Sequence, residues 1–276
     1  MKKYLVFLIL LTTQTFYAQS GWTKNKGEAY TQLSFTTISG YDTVFGDPEY
    51  NTERQVTDNT IQFYSEYGLT DKTTIILNLP IKLIKTGQLV GNTTGITTEN
   101  STTNLGNIEI GLKHQFYNKK WAIAGQLNIA TNSGSFDNAS GIRSGIDAWS
   151  FTPTINFSRS FKGFYAQAFT GLDIRTNNYS NNFKIGGEIG TKPFKNVLLI
   201  AFIDVVKSLK DGNIALPSSN LLTALYVNDQ EYASFGLKAI GEITEKFGAN
   251  VGFGGAFSGN NVAKKAAITF GVYQKF

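Results

Sequence analysis

The sequence predicts an all-β protein, a transmembrane antiparallel up-and-down β-barrel of about twelve strands. Three observations predict it. Segments of about ten residues alternate apolar and polar side chains with a period of two, the mark of a strand with one apolar face. Long polar loops and tight turns alternate strictly between these segments, as in an outer-membrane barrel. Aromatic residues collect at the strand ends: Tyr67, Phe116, Trp121, Phe161, Phe164, Phe194, Phe247 and Phe276 beside the turns, and Trp149, Phe183, Tyr232 and Phe257 beside the loops. These read as the two interfacial girdles of a membrane barrel. A soluble sandwich would also alternate, but it would explain neither the two classes of connection nor the girdles. Lipid offers the backbone no hydrogen-bond partners, so strands that cross it must close into a ring.

The chain opens with the basic Met1-Lys2-Lys3, the apolar run Tyr4–Leu11 and a lead to Ala18-Gln19. This reads as a secretory signal peptide, residues 1–18. As a membrane anchor it would fall far short of the roughly 20 apolar residues a spanning helix needs. Residues 19–276 then read as one domain, with no Pro- or Ser-rich linker to divide it. The chain has no cysteine, so it carries neither a disulfide framework nor a thiolate metal site. The net charge of +5 includes Lys2 and Lys3, and 5 − 2 leaves +3 after the leader, too mild a balance for nucleic-acid binding.

After a short lead, Gly21–Lys26, the strands begin. Strand one, Glu28–Ser39, sets Ala29, Leu33 and Phe35 against Gln32, Ser34 and Thr36, and Gly40–Thr57 is a long loop. Strand two, Asp58–Leu69, sets Ile61, Phe63 and Tyr67 against Gln62, Tyr64 and Glu66. The turn Thr70-Asp71-Lys72 leads to strand three, Thr73–Leu83, which sets Leu77, Leu79 and Ile81 against Asn78 and Lys82. Lys85–Asn104 is a second long loop. Strand four, Leu105–Tyr117, and strand five, Trp121–Thr131, flank the turn Asn118-Lys119-Lys120, and Asn132–Gly145 is a loop. Strand six, Ile146–Ser158, turns at Arg159–Gly163 into strand seven, Phe164–Arg175, and Thr176–Asn182 is a loop. Strand eight, Phe183–Thr191, turns at Lys192–Asn196 into strand nine, Val197–Lys207. The third long loop is Ser208–Gln230, within which Ser218-Ser219-Asn220 reads as the cap of a short helix through Tyr226, apolar enough to cover a barrel mouth. Strand ten, Tyr232–Ile243, and strand eleven, Phe247–Phe257, flank the turn Thr244-Glu245-Lys246. Strand twelve, Ala266–Phe276, follows the loop Gly259–Ala263 and ends the chain with nothing to cover its edge. Such an edge invites aggregation in water; here it is expected to pair with strand one. An even strand count puts both termini on the periplasmic side.

The inward faces carry the candidate lumen residues Tyr64, Glu66, Glu109, Lys113, Asp173, Glu188, Asp204, Lys238 and Glu242. Acid and base nearly balance, and charges in a narrow lumen are expected to pair. Twelve strands lie between the eight that fill themselves with side chains and the sixteen or more that leave an open pore. Both a narrow channel and a packed interior are therefore open readings. Strand nine breaks the alternation: Leu198, Ile200, Phe202 and Val206 share the inward face with Asp204. With Phe169, Tyr64 and Ile240 they form an apolar stripe, either a path for a hydrophobic or aromatic solute or the seat of a loop folded inward.

No chemistry-bearing motif emerges. Asp42, Asp47, Glu49, Glu53 and Asp58 surround Arg54 in the first long loop, but their spacing matches no calcium loop and reads as a solvated acidic face. His114, the single histidine, is expected on the outward face near the turn end. Phe116 stands two residues on, where a His-x-Ser lipid hydrolase would have its nucleophile, so the chain reads as no enzyme and no cofactor is expected.

The opening Gly21-Trp22-Thr23 with Lys26, Gly27 and Tyr30, the turn Tyr67-Gly68-Leu69-Thr70-Asp71-Lys72 and the strand plan together resemble a known family, the outer-membrane proteins named for the phenol meta-degradation pathway. These transporters are distantly similar to fatty-acid and aromatic-hydrocarbon channels. The resemblance implies a channel or transporter for a small, hydrophobic or aromatic solute, set in outer-membrane lipid. The alternative is a structural or surface-interaction barrel with a closed lumen and binding loops. The final aromatic, Phe276, is similar to the C-terminal signal that barrel-assembly machinery reads. The hydrocarbon channels carry an N-terminal plug; the few residues before Gly27 are expected to be too few to form one.

Overall fold

Alternating side chains leave a strand with one greasy and one polar face, and twelve such strands hide every backbone edge only as a ring. The computed structural model, which describes residues 20–91 and 94–276, has that form: a closed barrel of twelve antiparallel strands. The strands are β1 (Ala29–Phe45), β2 (Tyr50–Thr70), β3 (Thr73–Leu89), β4 (Glu109–Asn118), β5 (Ala122–Ala130) and β6 (Ser150–Ser160). They continue with β7 (Phe164–Arg175), β8 (Asn182–Phe194), β9 (Val197–Ser208), β10 (Glu231–Glu242), β11 (Phe247–Asn260) and β12 (Ala267–Lys275). Each pairs with its sequence neighbour, and β12 pairs with β1 to close the ring, Phe35 opposite Phe270 and Thr36 opposite Thr269. No helix among the described residues is long and apolar enough to cross a membrane. The expected signal peptide lies outside the described residues.

The faces alternate as the sequence requires. On β12 Ile268, Phe270 and Val272 are exposed, while Tyr273 is fully buried inside. Leu33, Phe63, Ile110, Leu127, Ile155, Ile189 and Phe253 likewise present apolar surface outward. The girdle aromatics Tyr67, Phe116, Trp121, Phe161, Phe164, Phe194 and Phe276 are exposed at the turn end, and Trp149, Phe183 and Phe257 at the loop end. Tyr232 is a correction: it shares the inward face of β10 with Lys238 and Ile240, among the charges of Asp173, Arg175, Lys184 and Asp204.

The loop end is more structured than expected. Gly40–Thr57 is not a loop, since β1 runs to Phe45 and β2 starts at Tyr50. Tyr41, Val44 and Val56 are buried there, so tertiary packing orders a hairpin whose polar composition reads as a loop. Likewise β3 extends to Leu89 and pairs with a short strand, Asn100–Leu105. Strand four is not continuous. It breaks between Leu105, opposite Ile81, and Glu109, opposite Asn78, so Gly106–Ile108 leave the ladder beside Pro80, which has no N–H to donate. The loop Asn132–Gly145 contains a small hairpin, Phe136–Asp137 with Ile142–Arg143. The helix of the third long loop is a single turn, α1 (Ser218–Leu221), with Pro217 at the N-cap and no side-chain cap from Ser218.

Candidate functional site

The residues before Gly27 do enter the lumen, which overturns the expectation that they cannot plug it. The reason is hydrogen bonding rather than length. The Gly21 N–H donates to Ser158 Oγ at 2.7 Å, Gln115 Nε2 donates to the Gly21 carbonyl at 2.7 Å, and the Lys24 N–H donates to Thr74 Oγ1 at 2.9 Å. Three inward polar side chains thus satisfy an extended segment that has no strand partner. At the barrel rim the segment meets the β2–β3 turn. Gly27 N–H donates to the Gly68 carbonyl at 2.9 Å, and Asp71 Oδ1 accepts from the Lys26 N–H at 3.0 Å. A Cβ on Gly68 would lie 1.9 Å from the Asn25 carbonyl oxygen, so only glycine admits this approach. The two sequence motifs that carry the family resemblance are therefore one contact in space.

Trp22 seats on the apolar stripe. It packs on a cluster of Tyr30, Tyr165, Leu198, Ile200, Ile240 and Tyr273, with Tyr64 beside it. Half of the stripe is thus covered by the chain's own N-terminal segment. Glu66 and Lys113 lie beside this cluster, fully buried. Glu66 accepts from Lys113 Nζ at 3.2 Å and from the Tyr64 hydroxyl at 2.9 Å, and Lys24 Nζ lies 3.5 Å from its other oxygen. A buried carboxylate needs such company.

Further along the barrel the lumen is lined by charge and by two flat rings. The Tyr165 hydroxyl donates to Glu188 Oε1 at 2.6 Å. Lys238 sits within electrostatic reach of both Glu188 and Asp204, and Lys184 within reach of Asp204 and Glu109. Asp173 holds Arg175 at 2.8 Å and accepts from Thr152 Oγ1 at 3.0 Å. Phe169 lies against Gly186, and Phe202 against Gly236 and Gly254; a Cβ on Gly236 would be 2.3 Å from the Phe202 ring. The rings therefore lie along the wall rather than across the bore.

The loop end is closed by the third long loop. Leu225 and Tyr226 pack against Tyr41, Val56, Ile84 and Ile142, and the Tyr41 hydroxyl donates to the Thr223 carbonyl at 3.1 Å. Asn220 accepts from Arg143 Nε at 3.0 Å, which ties α1 to the small hairpin. Ala224 and Tyr226 hold φ of 56° and 53°, a left-handed conformation that costs a non-glycine residue about 1 kcal/mol or more. Between this loop and the hairpin tip lies a surface cavity of about 620 Å³, lined by Tyr50, Ile214, Leu216, Leu221, Asp229 and Asn261 among others.

All eleven candidate lumen residues face inward, but they form three groups. Tyr64, Glu66 and Lys113 belong to the seat of the N-terminal segment. Glu109, Phe169, Asp173, Glu188, Phe202, Asp204 and Lys238 line the middle. Glu242 sits at the turn-end rim, paired with Lys192 at 2.8 Å and Lys275 at 3.6 Å. Sequence reading missed the seat of Trp22, because a segment without periodicity gives no sign of direction; it did expect the segment through Tyr226 to cover a barrel mouth, and Leu225 and Tyr226 pack there. The acidic residues of the first hairpin are solvated only in part: Asp47 is exposed and Glu49 pairs with Lys264 at the surface, whereas Asp58 pairs with Lys82 inside and Glu53 accepts from Ile96 and Thr97. His114 lies outside, its Nδ1 2.9 Å from Thr73 Oγ1 and its ring edge-on to Phe116.

The fold matches solved outer-membrane barrels. An outer membrane channel from Pseudomonas putida F1 superposes with a TM-score of 0.70 at 11% identity, over 95% of this chain and 100% of that one. The NanC porin superposes with a TM-score of 0.54 at 7% identity, over 90% and 100%. The translocator domain of the autotransporter NalP from Neisseria meningitidis gives 0.51 at 12%, over 92% and 90%. No curated protein matches the sequence. The family described as "Putative MetA-pathway of phenol degradation" matches residues 15–195, well over half of the 276, and the protein belongs to that family.

Proposed function

We propose that the protein is a passive outer-membrane channel for a small solute with an apolar or aromatic face. The lining of the mid-lumen carries this reading. Phe202 offers ring surface to a passing molecule, with Phe169 buried beside Gly186, while Asp204, Glu188 and Lys238 offer polar partners. Trp22 at one end and Leu225 with Tyr226 at the other act as constrictions that yield to a solute. Residues 1–18 are a signal peptide, residues 19–276 the barrel, and both termini lie in the periplasm. Assembly machinery recognises the closing strand through Phe276, and nucleic acid has no role. Catalysis is no part of this reading, because His114 faces lipid with Phe116 where a nucleophile would stand.

A second reading, a closed barrel that presents its loops, is favoured by one observation: both mouths are filled by the chain itself. Reconstitution separates the two. The channel reading expects ion conductance in planar bilayers and swelling of liposomes by small aromatic solutes. Silence of the wild type and of a variant lacking the Trp22 ring would leave the second reading.

A further inference from the structure

Five tight turns close the barrel at one end, and each carries lysine. Lys72, Lys119, Lys120, Lys162, Lys195 and Lys246 are all exposed there. None of the six makes an ion pair among the described residues. The acids of that end are mostly occupied: Asp71 accepts from the Lys26 N–H, Glu28 from Asn25, and Glu242 from Lys192. At the loop end Lys82, Lys207 and Lys264 each pair with a carboxylate, and the exposed lysines without an ion pair among the described residues, Lys85, Lys210 and Lys265, have no run of aromatic neighbours. Four of the turn-end lysines stand directly beside exposed aromatic rings. Lys119 and Lys120 stand between Phe116 and Trp121, Lys162 between Phe161 and Phe164, and Lys195 next to Phe194, whose rings point outward. Rings of this kind sit at the level of lipid headgroups, and a lysine next to one reaches the phosphate layer on its flexible stem.

We propose that this ring of lysines, with its aromatic collar, is a binding belt for the phosphates of anionic phospholipid in the periplasmic leaflet. Each ammonium near an anionic surface adds attraction that falls off within a Debye length, and six around one rim select charged headgroups over zwitterionic ones. The belt fixes the depth of the turn end, and with it the level of the constriction at Trp22. This rests on the reading of the chain as an outer-membrane barrel with periplasmic turns.

The test uses the folded protein in phosphatidylcholine bilayers with spin-labelled lipids, reading the motionally restricted fraction. Spin-labelled phosphatidylglycerol is expected to associate several-fold more strongly than spin-labelled phosphatidylcholine. The preference should fall to unity in 1 M salt and in the variant with all six lysines changed to glutamine. The partial variant Lys119→Gln/Lys120→Gln/Lys162→Gln, with less risk to assembly, should give an intermediate value. Lys85→Gln/Lys210→Gln/Lys265→Gln at the loop end should change nothing. Equal association of the two lipids with the wild type, or a preference that survives loss of the six lysines, overturns the proposal. Lost preference with conductance intact would sink the belt and leave the channel reading standing.

Discussion

Trp22 stands edge-on to Tyr165 with ring centroids 6.1 Å apart. The indole thereby joins the N-terminal segment to the wall of β7 and narrows the lumen at its turn end. Trp22→Ala removes that ring and leaves the flanking hydrogen bonds of Gly21 and Lys24 in place. Conductance in planar bilayers is expected to rise several-fold, with the heat-resistant folded band on gels retained. Unchanged conductance would mean that the indole does not limit flow. Gly68→Ala reaches the same end by another route, since its new methyl drives the Asn25 carbonyl away.

Glu66 compensates two buried cations, Lys113 and Lys24. Glu66→Gln leaves them facing a neutral amide, and breaking a buried pair in this way costs about 3–5 kcal/mol. The midpoint of urea unfolding in detergent should fall accordingly. The double change Glu66→Gln/Lys113→Met should recover a large part of the loss, because it removes the principal stranded charge. Equal destabilisation of single and double variants would refute the pairing as the cause.

Leu77 and Asn78 test the two faces of β3. Leu77 lies outward between Ile75 and Leu79, and Asn78 accepts from Gln62 Nε2 at 2.7 Å inside, with Glu109 opposite on β4. An arginine facing lipid at mid-span costs roughly 2–4 kcal/mol. Leu77→Arg should therefore impair assembly, whereas Asn78→Arg finds Glu109 and should fold. Greater damage from Asn78→Arg would reverse the assignment of faces.

The small loop-end hairpin should respond to acid. Asp137 accepts from the Ser140 hydroxyl and from Asn100 Nδ2, which hold its carboxyl below the usual aspartate range. A depressed folded value stabilises above the unfolded pKa of about 3.9 and is lost as the pH falls through the folded value. The protection factors of residues 136–143 in hydrogen exchange should be flat from neutrality to about pH 4 and should fall below it. Asp137→Asn should abolish that pH dependence; an unaltered profile would show that another group titrates.

Orientation is open to a direct measurement. An epitope inserted after the exposed Ala215 should be reached by antibody on whole cells, and one inserted after Lys120 only after permeabilisation. The opposite pattern would invert the barrel.

The ring was legible in the sequence because lipid outside and polar side chains inside impose a strict period of two; β7 has the very bounds that period gives. Legibility failed where burial was not set by lipid. The hairpin around Tyr41, Val44 and Val56 is apolar toward a loop that arrives over 160 residues later, a contact no local pattern announces. Pro80 could have flagged the interruption of strand four, since a proline inside a ladder removes a donor. Inward charges were legible one by one, but not their grouping: Glu66 with Lys113 depends on how β2, β3 and β4 stagger. The path of Ser20–Lys26 was unreadable, because its partners Ser158, Gln115 and Thr74 come from three separate strands.

The seam of the ring brings together the hydroxyls of Thr36 and Thr269, 233 positions apart, at 2.9 Å, while residues 20–26 lie inside that ring. Geometry therefore dictates a chronology. A segment hydrogen-bonded to strands on the far wall is laid in most readily while the sheet is still an open cradle, before the last strand shuts over it. Contacts so distant in sequence form late and slowly, and that delay is the interval in which the segment finds its berth.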